Sequence, residues 1–114
     1  MCGWVIYFLK GATYEATITI DGVADIANAT EWRVRCVDER QNVILTASSV
    51  GASPMLVLVP NTDGKSMRMT VPATTTSAMV VQSGYYDLEV LWTNGVVRRY
   101  ISRGSVEVVQ KAGA

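Results

Sequence analysis

Gly84-Tyr85-Tyr86-Asp87-Leu88-Glu89-Val90-Leu91-Trp92, then Thr93-Asn94-Gly95, then Val96-Val97-Arg98-Arg99-Tyr100-Ile101-Ser102-Arg103-Gly104-Ser105-Val106-Glu107-Val108-Val109 is the stretch that decides the fold. Runs rich in β-branched and aromatic residues flank Asn94-Gly95, a pair that supplies the positive φ angles of a hairpin turn. The reading is a strand, a tight turn and a return strand that breaks at Gly104 and resumes. Two registers fit. A two-residue Asn94-Gly95 turn sets Val90 opposite Arg99 and Leu88 opposite Ile101. A three-residue Thr93-Asn94-Gly95 turn pairs Glu89 with Arg99 and Leu88 with Tyr100. The second register puts opposite charges on one face. It also sends Arg98 to the apolar face, where a guanidinium needs a carboxylate or a wet edge.

Upstream the same period of two recurs. Tyr14, Ala16, Ile18 and Ile20 alternate with Thr13, Glu15, Thr17 and Thr19, and Asp21-Gly22 turns the chain. Trp32, Val34 and Cys36 alternate with Glu31, Arg33 and Arg35, which makes Trp32 the predicted centre of the core. Val43 to Ala47 follows the polar turn Asp38–Asn42 and is predicted to close a hairpin. Met55 to Val59 is a continuous apolar run ending at Pro60, the pattern of a strand covered on both faces by the domain or by a neighbouring subunit. Met67, Met69 and Val71 alternate after the turn Asn61–Gly64. Pro72 to Ser83 is rich in small hydroxyl residues and reads as a crossover with room for one helical turn. No window sustains a helical period. Seven to nine short strands imply an all-β, antiparallel β-sandwich, a single domain over residues 1–114. Residues 1–10 form a strand that could be contributed to a partner.

Composition narrows the function. A chain of 114 residues buries roughly two-thirds of its unfolded surface, enough for a core without metal or disulfide staples. Ten basic and ten acidic residues cancel, so no net field draws nucleic acid or an anionic membrane, and neither is an expected partner. There is no histidine, which removes the usual acid–base group near neutral pH and the commonest transition-metal ligand. Two cysteines do not make a disulfide framework. Cys36 continues a core face; a Cys2–Cys36 bridge would require the N-terminal strand alongside. The opening Trp4–Leu9 has no basic region before it and is too short for a signal core or a membrane span, so a strand in a soluble protein is expected.

Arginine is the main cation, with Arg33, Arg35, Arg68, Arg98, Arg99 and Arg103 on predicted strands. Asp87 and Glu89 share one strand face with which such arginines can pair. Two readings stand: a solvated face with weak ion pairs, or a subunit interface held by arginine clamps. Tyr85 is out of phase with Tyr86, so one of the two faces away from the core. The candidate interface therefore comprises Trp4, Ile6 and Phe8, then Met55, Val57 and Val59, together with Tyr85, Arg98, Arg99 and Arg103. Asp21–Asp25 and Asn61–Gly64 hold oxygen ligands beside a glycine, but neither offers the six to eight that calcium takes, and turn chemistry accounts for both. Thr74-Thr75-Thr76-Ser77 has hydroxyls without a base to activate them. No catalytic constellation, metal site or cofactor is expected, and the chain does not read as an enzyme.

Several segments together carry a resemblance. They are Gly11–Ile20, Ala29-Thr30-Glu31-Trp32-Arg33-Val34-Arg35, Pro72–Met79, and the closing glycine, Tyr-Asp-Leu strand, Asn-Gly turn, arginine strand and Gly104-x-Val-x-Val. Over residues 11 to 109 the chain resembles small immunoglobulin-like virion proteins of tailed bacteriophages, including the N-terminal modules of baseplate and receptor-binding-protein adaptors and related tail or capsid-associated proteins. It departs from them in one extra residue between Arg99 and Gly104 and in the Gln110–Ala114 end. The resemblance implies an immunoglobulin-like fold and a non-enzymatic virion component, made in the bacterial host cytoplasm. Its partners would be other virion proteins and copies of itself. The alternative is a free-standing immunoglobulin-like module that binds a cell-surface glycan or protein.

Overall fold

Alternating side chains fold this chain into strands because each strand can turn one face to a shared interior and the other to water. The computed structural model describes residues 4–23 and 25–110. It has β1 Ile6–Leu9, β2 Tyr14–Thr19, β3 Ala29–Asp38, β4 Val43–Ser48, β5 Leu56–Leu58, β6 Ser66–Val71, β7 Gln82–Trp92 and β8 Val97–Val109, with α1 Ala73–Ser77 between β6 and β7. Two sheets form, in the orders β1-β8-β7-β3-β4 and β2-β6-β5. This is the strand order of an immunoglobulin-like sandwich, with β4 extending the sheet beyond β3. The pairings are antiparallel, as expected, except that of β1 with β8, which is parallel. β1, within the residues 1–10 that could be contributed to a partner, pairs with β8 at the edge of its own chain's sheet.

The core lies where the alternation put it. Trp32, Val34 and Cys36 on β3 and Tyr86, Leu88 and Val90 on β7 are fully buried and meet Ile18, Met69 and Val71 of the second sheet. Neither β2 nor β7 carries a cysteine, so no disulfide joins those strands as it does in antibody domains. Packing holds the sheets together. Cys2, the other half of the bridge considered from the sequence, lies outside the described residues.

The decisive hairpin contains both registers in succession. Trp92 N–H bonds to Val96 C=O at 2.9 Å around Thr93-Asn94-Gly95, and Gly95 has φ 86°. This is the three-residue loop, with glycine in the left-handed position. Glu89 accordingly faces Arg99, while Leu88 faces Ile101 because Tyr100 is an extra residue on β8. A second extra residue falls in Ser102-Arg103, with Tyr86 facing Gly104 beyond it. The physical reason is parity. Ile101 is buried, and so are Val106 and Val108; one added residue brings both sets to the same face. The strand does not break at Gly104, as the sequence suggested, but runs continuously to Val109 with Arg103 at φ 57°.

Two glycines in this sheet are fixed by close approach. A Cβ on Gly84 would lie 2.0 Å from the carbonyl oxygen of Val37, so only glycine lets β7 reach β3 there. A Cβ on Gly104 would lie 2.3 Å from the Tyr86 ring, which crosses β8 at that point. Beyond it the Tyr86 hydroxyl donates to the Trp4 carbonyl and accepts from the Trp4 N–H, the latter at 2.9 Å. Across the sandwich, Thr76 of α1 is buried and its hydroxyl donates to the Ala12 carbonyl at 2.8 Å, tying the crossover to the β1–β2 turn.

Gly84→Ala is expected to cost about 3 kcal/mol through overpacking against a backbone that cannot yield, read as a lower urea midpoint. Stability should also fall at high pH. Burial pushes the Cys36 thiol from 9.0 up to about 12, and burial likewise raises Tyr86 from 10.0 to about 12 despite its bond to Trp4. The folded state holds both protons more tightly than the unfolded chain. The contribution is therefore complete below pH 9.0 and lost as the pH climbs towards 12. Cys36→Val should flatten part of that alkaline decline in urea titrations; an unchanged slope would rule out the thiol as a cause.

Candidate protein-interaction site

A three-strand sheet leaves a strand uncovered at each side, here β2 and the apolar β5. Met55, Val57 and Val59 point their backbone groups at β6, as the bonds Thr70 N–H to Met55 C=O and Val59 N–H to Ser66 C=O show. Leu56 and Leu58 therefore turn theirs outwards. Leu56 packs into the core, but Val57 and Leu58 are 55% and 50% exposed. With Val59, Pro60, Arg68 and Thr70 they line a groove of ≈ 350 Å³. The run expected to be covered on both faces, by the domain or by a neighbouring subunit, is covered by its own chain on one. Val57 and Val59 lie in this groove, and Met55 is half-buried against the core.

The opening segment has the opposite parity to that expected of an interface. Ile6 and Phe8 are fully buried, so they are core residues and offer no surface in the folded chain. Their neighbours Val5 and Tyr7 are exposed instead, Tyr7 to 58%. Both faces of Trp4–Leu9 are apolar, and sequence parity could not distinguish them. Trp4 itself is half-buried: its indole N–H bonds to the Tyr14 hydroxyl at 3.2 Å and its ring lies 5.1 Å from that of Tyr86. Leu58 and the exposed pair Val80-Val81 escaped the sequence reading. Leu58 shares the inward parity of Leu56, but it stands half exposed in a cleft with Trp32 and Met67.

The outer face of the five-stranded sheet gathers Tyr85, Asp87, Glu89, Arg99 and Arg103. The Arg103 guanidinium sits 4.3 Å from the centre of the Tyr85 ring, while its backbone N–H donates to Asp87 Oδ1 at 3.0 Å. Arg99 pairs with Glu89 at 3.3 Å. On β3, Arg33 pairs with Glu31 at 3.3 Å, and Ser48 donates to the same carboxylate at 2.7 Å. The Ser48 hydroxyl and then Arg33 hold Glu31 below the usual carboxylate range. Arg98 stands apart, at the hairpin end, 5.8 Å from the Trp92 ring centre. Its wet edge is the solution to the problem posed by the register. The face is thus a lattice of alternating charge with one tyrosine–arginine stack, suited to a polar contact with a protein surface.

The two oxygen-bearing loops do meet. Asp63 and Lys65 line a cleft of ≈ 450 Å³ with Gly22, Val23, Ile26 and Ala27. Among the described residues, no three of His, Cys, Asp and Glu converge there or elsewhere. Among those residues, too, no helix is long and apolar enough to cross a membrane.

No family model matches the chain, and no curated protein matches it. Among solved structures it is similar to Drosophila OTK, extracellular domains 3–5, at 13% identity and TM-score 0.40; the match covers 94% of this chain and 32%, about a third, of that chain. It is also similar to the first Ig-like domain of human CD48 antigen, at 14% identity and TM-score 0.35, over 98% of this chain and 88% of that one.

Arg103 gives a sharp test of the bulge. Its left-handed backbone costs a side-chain-bearing residue about 1–2 kcal/mol. Arg103→Gly should hold or raise the urea midpoint, and Arg103→Val should lower it. Arg99→Ala, at an exposed pair, should change stability by no more than about 0.5 kcal/mol.

Proposed function

We propose that this domain is a non-enzymatic assembly module, and that it serves as a structural component of a tailed-bacteriophage virion. The observation that carries the assembly reading is the β5 edge, where Val57 and Leu58 stand in water beside an open ladder. Exposed strand edges with apolar side chains mark places where another chain adds. The virion assignment rests on the sequence resemblance over residues 11–109. Its partners are other virion proteins and copies of itself.

The available nucleophiles support a non-catalytic role. The Cys36 thiol is buried and held protonated to about pH 12. Thr76 is committed to the Ala12 carbonyl, and the chain has no histidine to activate a hydroxyl. Tyr85, Arg99 and Arg103 supply the polar half of the contact surface, with Val57, Leu58 and Val59 the apolar half.

The test is incorporation. Particles purified from lysed host cells should contain the chain at a fixed stoichiometry by quantitative mass spectrometry. Val57→Lys with Leu58→Lys should fold normally by circular dichroism and yet be lost from the particles. Absence of the wild-type chain from particles would overturn the virion reading. Selective retention on a glycan array would promote the free-standing binding module in its place.

A further inference from the structure

The open edge of β5 has a recess on each of its two faces, and the two differ in chemistry. On the inner face, Leu56, Leu58 and Met67 meet Trp32 and Pro54 around a cleft of ≈ 260 Å³, and none of its lining residues is charged. Its polar side chains are those of Thr30 and Ser49, and the Ser49 hydroxyl already accepts the Trp32 N–H at 2.8 Å. On the outer face, the groove of ≈ 350 Å³ is walled by Val57, Val59 and Pro60 and holds one charged group, Arg68.

Arg68 has no carboxylate of its own. It stands opposite Val57 on one side and Thr17 on the other, while Glu15 of β2 is opposite Thr70. Among the described residues the ion pairs are Arg33–Glu31 and Arg99–Glu89, so Arg68 is unpaired. Between the two recesses runs the free side of the ladder. Met55 and Val59 turn their backbone groups to β6, so the N–H and C=O of Leu56 and Leu58 point away from it. Pro54 and Pro60 confine this edge to a few residues.

We propose that this edge takes a short extended segment of another protein in which apolar and acidic side chains alternate. The proposal rests on the assembly reading and names the chemistry of its partner. A strand added to β5 sends successive side chains to opposite faces. Its apolar side chains enter the uncharged cleft beside Trp32, where burial takes them and Leu58 out of water. The side chains between them lie over the outer groove, where a carboxylate meets Arg68. Both faces of the segment are thereby specified. A basic group on the outer side would be repelled by the guanidinium, and an acidic one on the inner side would be desolvated without a partner. The ladder bonds of Leu56 and Leu58 hold the backbone whatever the sequence, and the two recesses select the side chains. Within this chain the run Tyr86-Asp87-Leu88-Glu89-Val90 has the required alternation, but it lies inside β7 with β8 and β3 on either side. A folded second copy cannot offer it, which is why the occupant is a different protein.

Isothermal titration calorimetry of the full chain with capped heptapeptides tests this, one alternating leucine with glutamate and one alternating leucine with lysine. The glutamate peptide should bind at one site per chain. The lysine peptide should bind about fivefold more weakly or worse, the scale of an exposed charge pair made in one case and opposed in the other. Arg68→Glu, at an exposed position, should reverse that order. Serine in place of the leucines should weaken the glutamate peptide by about tenfold or more, the effect of losing one buried leucine. Amide exchange should slow at Leu56 and Leu58 when the glutamate peptide is bound. Failure of the glutamate peptide to bind, an order unmoved by Arg68→Glu, or protection on another strand instead overturns the proposal. Loss of the Val57→Lys, Leu58→Lys chain from particles, with the peptide order unmoved by Arg68→Glu, would keep the assembly reading and remove this inference. The expected peptide order with the wild-type chain absent from particles would keep this inference and remove the virion assignment.

Discussion

The Tyr86 side chain crosses its neighbouring strand and fastens the chain that begins the next. Its ring lies over Gly104 of β8, and its hydroxyl takes both backbone groups of Trp4 just ahead of β1. That is how a strand of only four residues is held in parallel beside β8. Parallel addition of so short a strand gains few hydrogen bonds, and a side-chain clamp supplies what the ladder does not. From Trp4 the connection passes on to Tyr14 of the second sheet, on whose ring Phe8 also packs at 5.1 Å. One tyrosine therefore links three strands of one sheet and, through Trp4, the other sheet. Without a disulfide between β2 and β7, this aromatic cluster and the Trp32-centred core hold the sandwich.

The same economy leaves the edges open. Eight strands in two sheets give four edges, and the chain spends charge or proline on some of them only. Some of the apolar residues left in water lie there: Val57 and Leu58 on β5, Val43 at the start of β4. A monomeric domain tolerates scattered exposed valines, but apolar side chains next to unpaired backbone groups are a different matter. On the proposed assembly reading, an extended partner would add there. The charged outer face, with its Arg99–Glu89 pair and Tyr85–Arg103 stack, adds orientation to such a contact more than affinity.

Much of the fold was legible because period-two alternation is a local signal. The core strands around Trp32 and Leu88 followed from it directly, the small hydroxyl residues of Pro72–Ser83 left room for the helical turn, and the Glu89–Arg99 pairing belonged to one of the two registers that fitted. Three features were not legible, each for a physical reason. The parity of Trp4–Leu9 is ambiguous because both faces are apolar, so Ile6 and Phe8 took the core and left Val5 and Tyr7 outside. The extra residues at Tyr100 and Ser102-Arg103 leave no mark in the sequence except a change in which positions are apolar, from Ile101 to Val106. The exposure of Leu58 depends on the cleft it lines with Trp32 and Met67, a property of the assembled sandwich and not of the segment.

Residue-resolved amide hydrogen exchange, in dilute and in concentrated solution, tests the central claim that the domain is a closed core with open edges. The account predicts slow exchange at Val34, Cys36 and Leu88 under both conditions. In dilute solution the outward amides of Thr46, Ser48, Leu56 and Leu58 should exchange fast. Equal and strong protection of all of these amides in dilute solution would contradict it, because the edges would then already be covered by the chain itself.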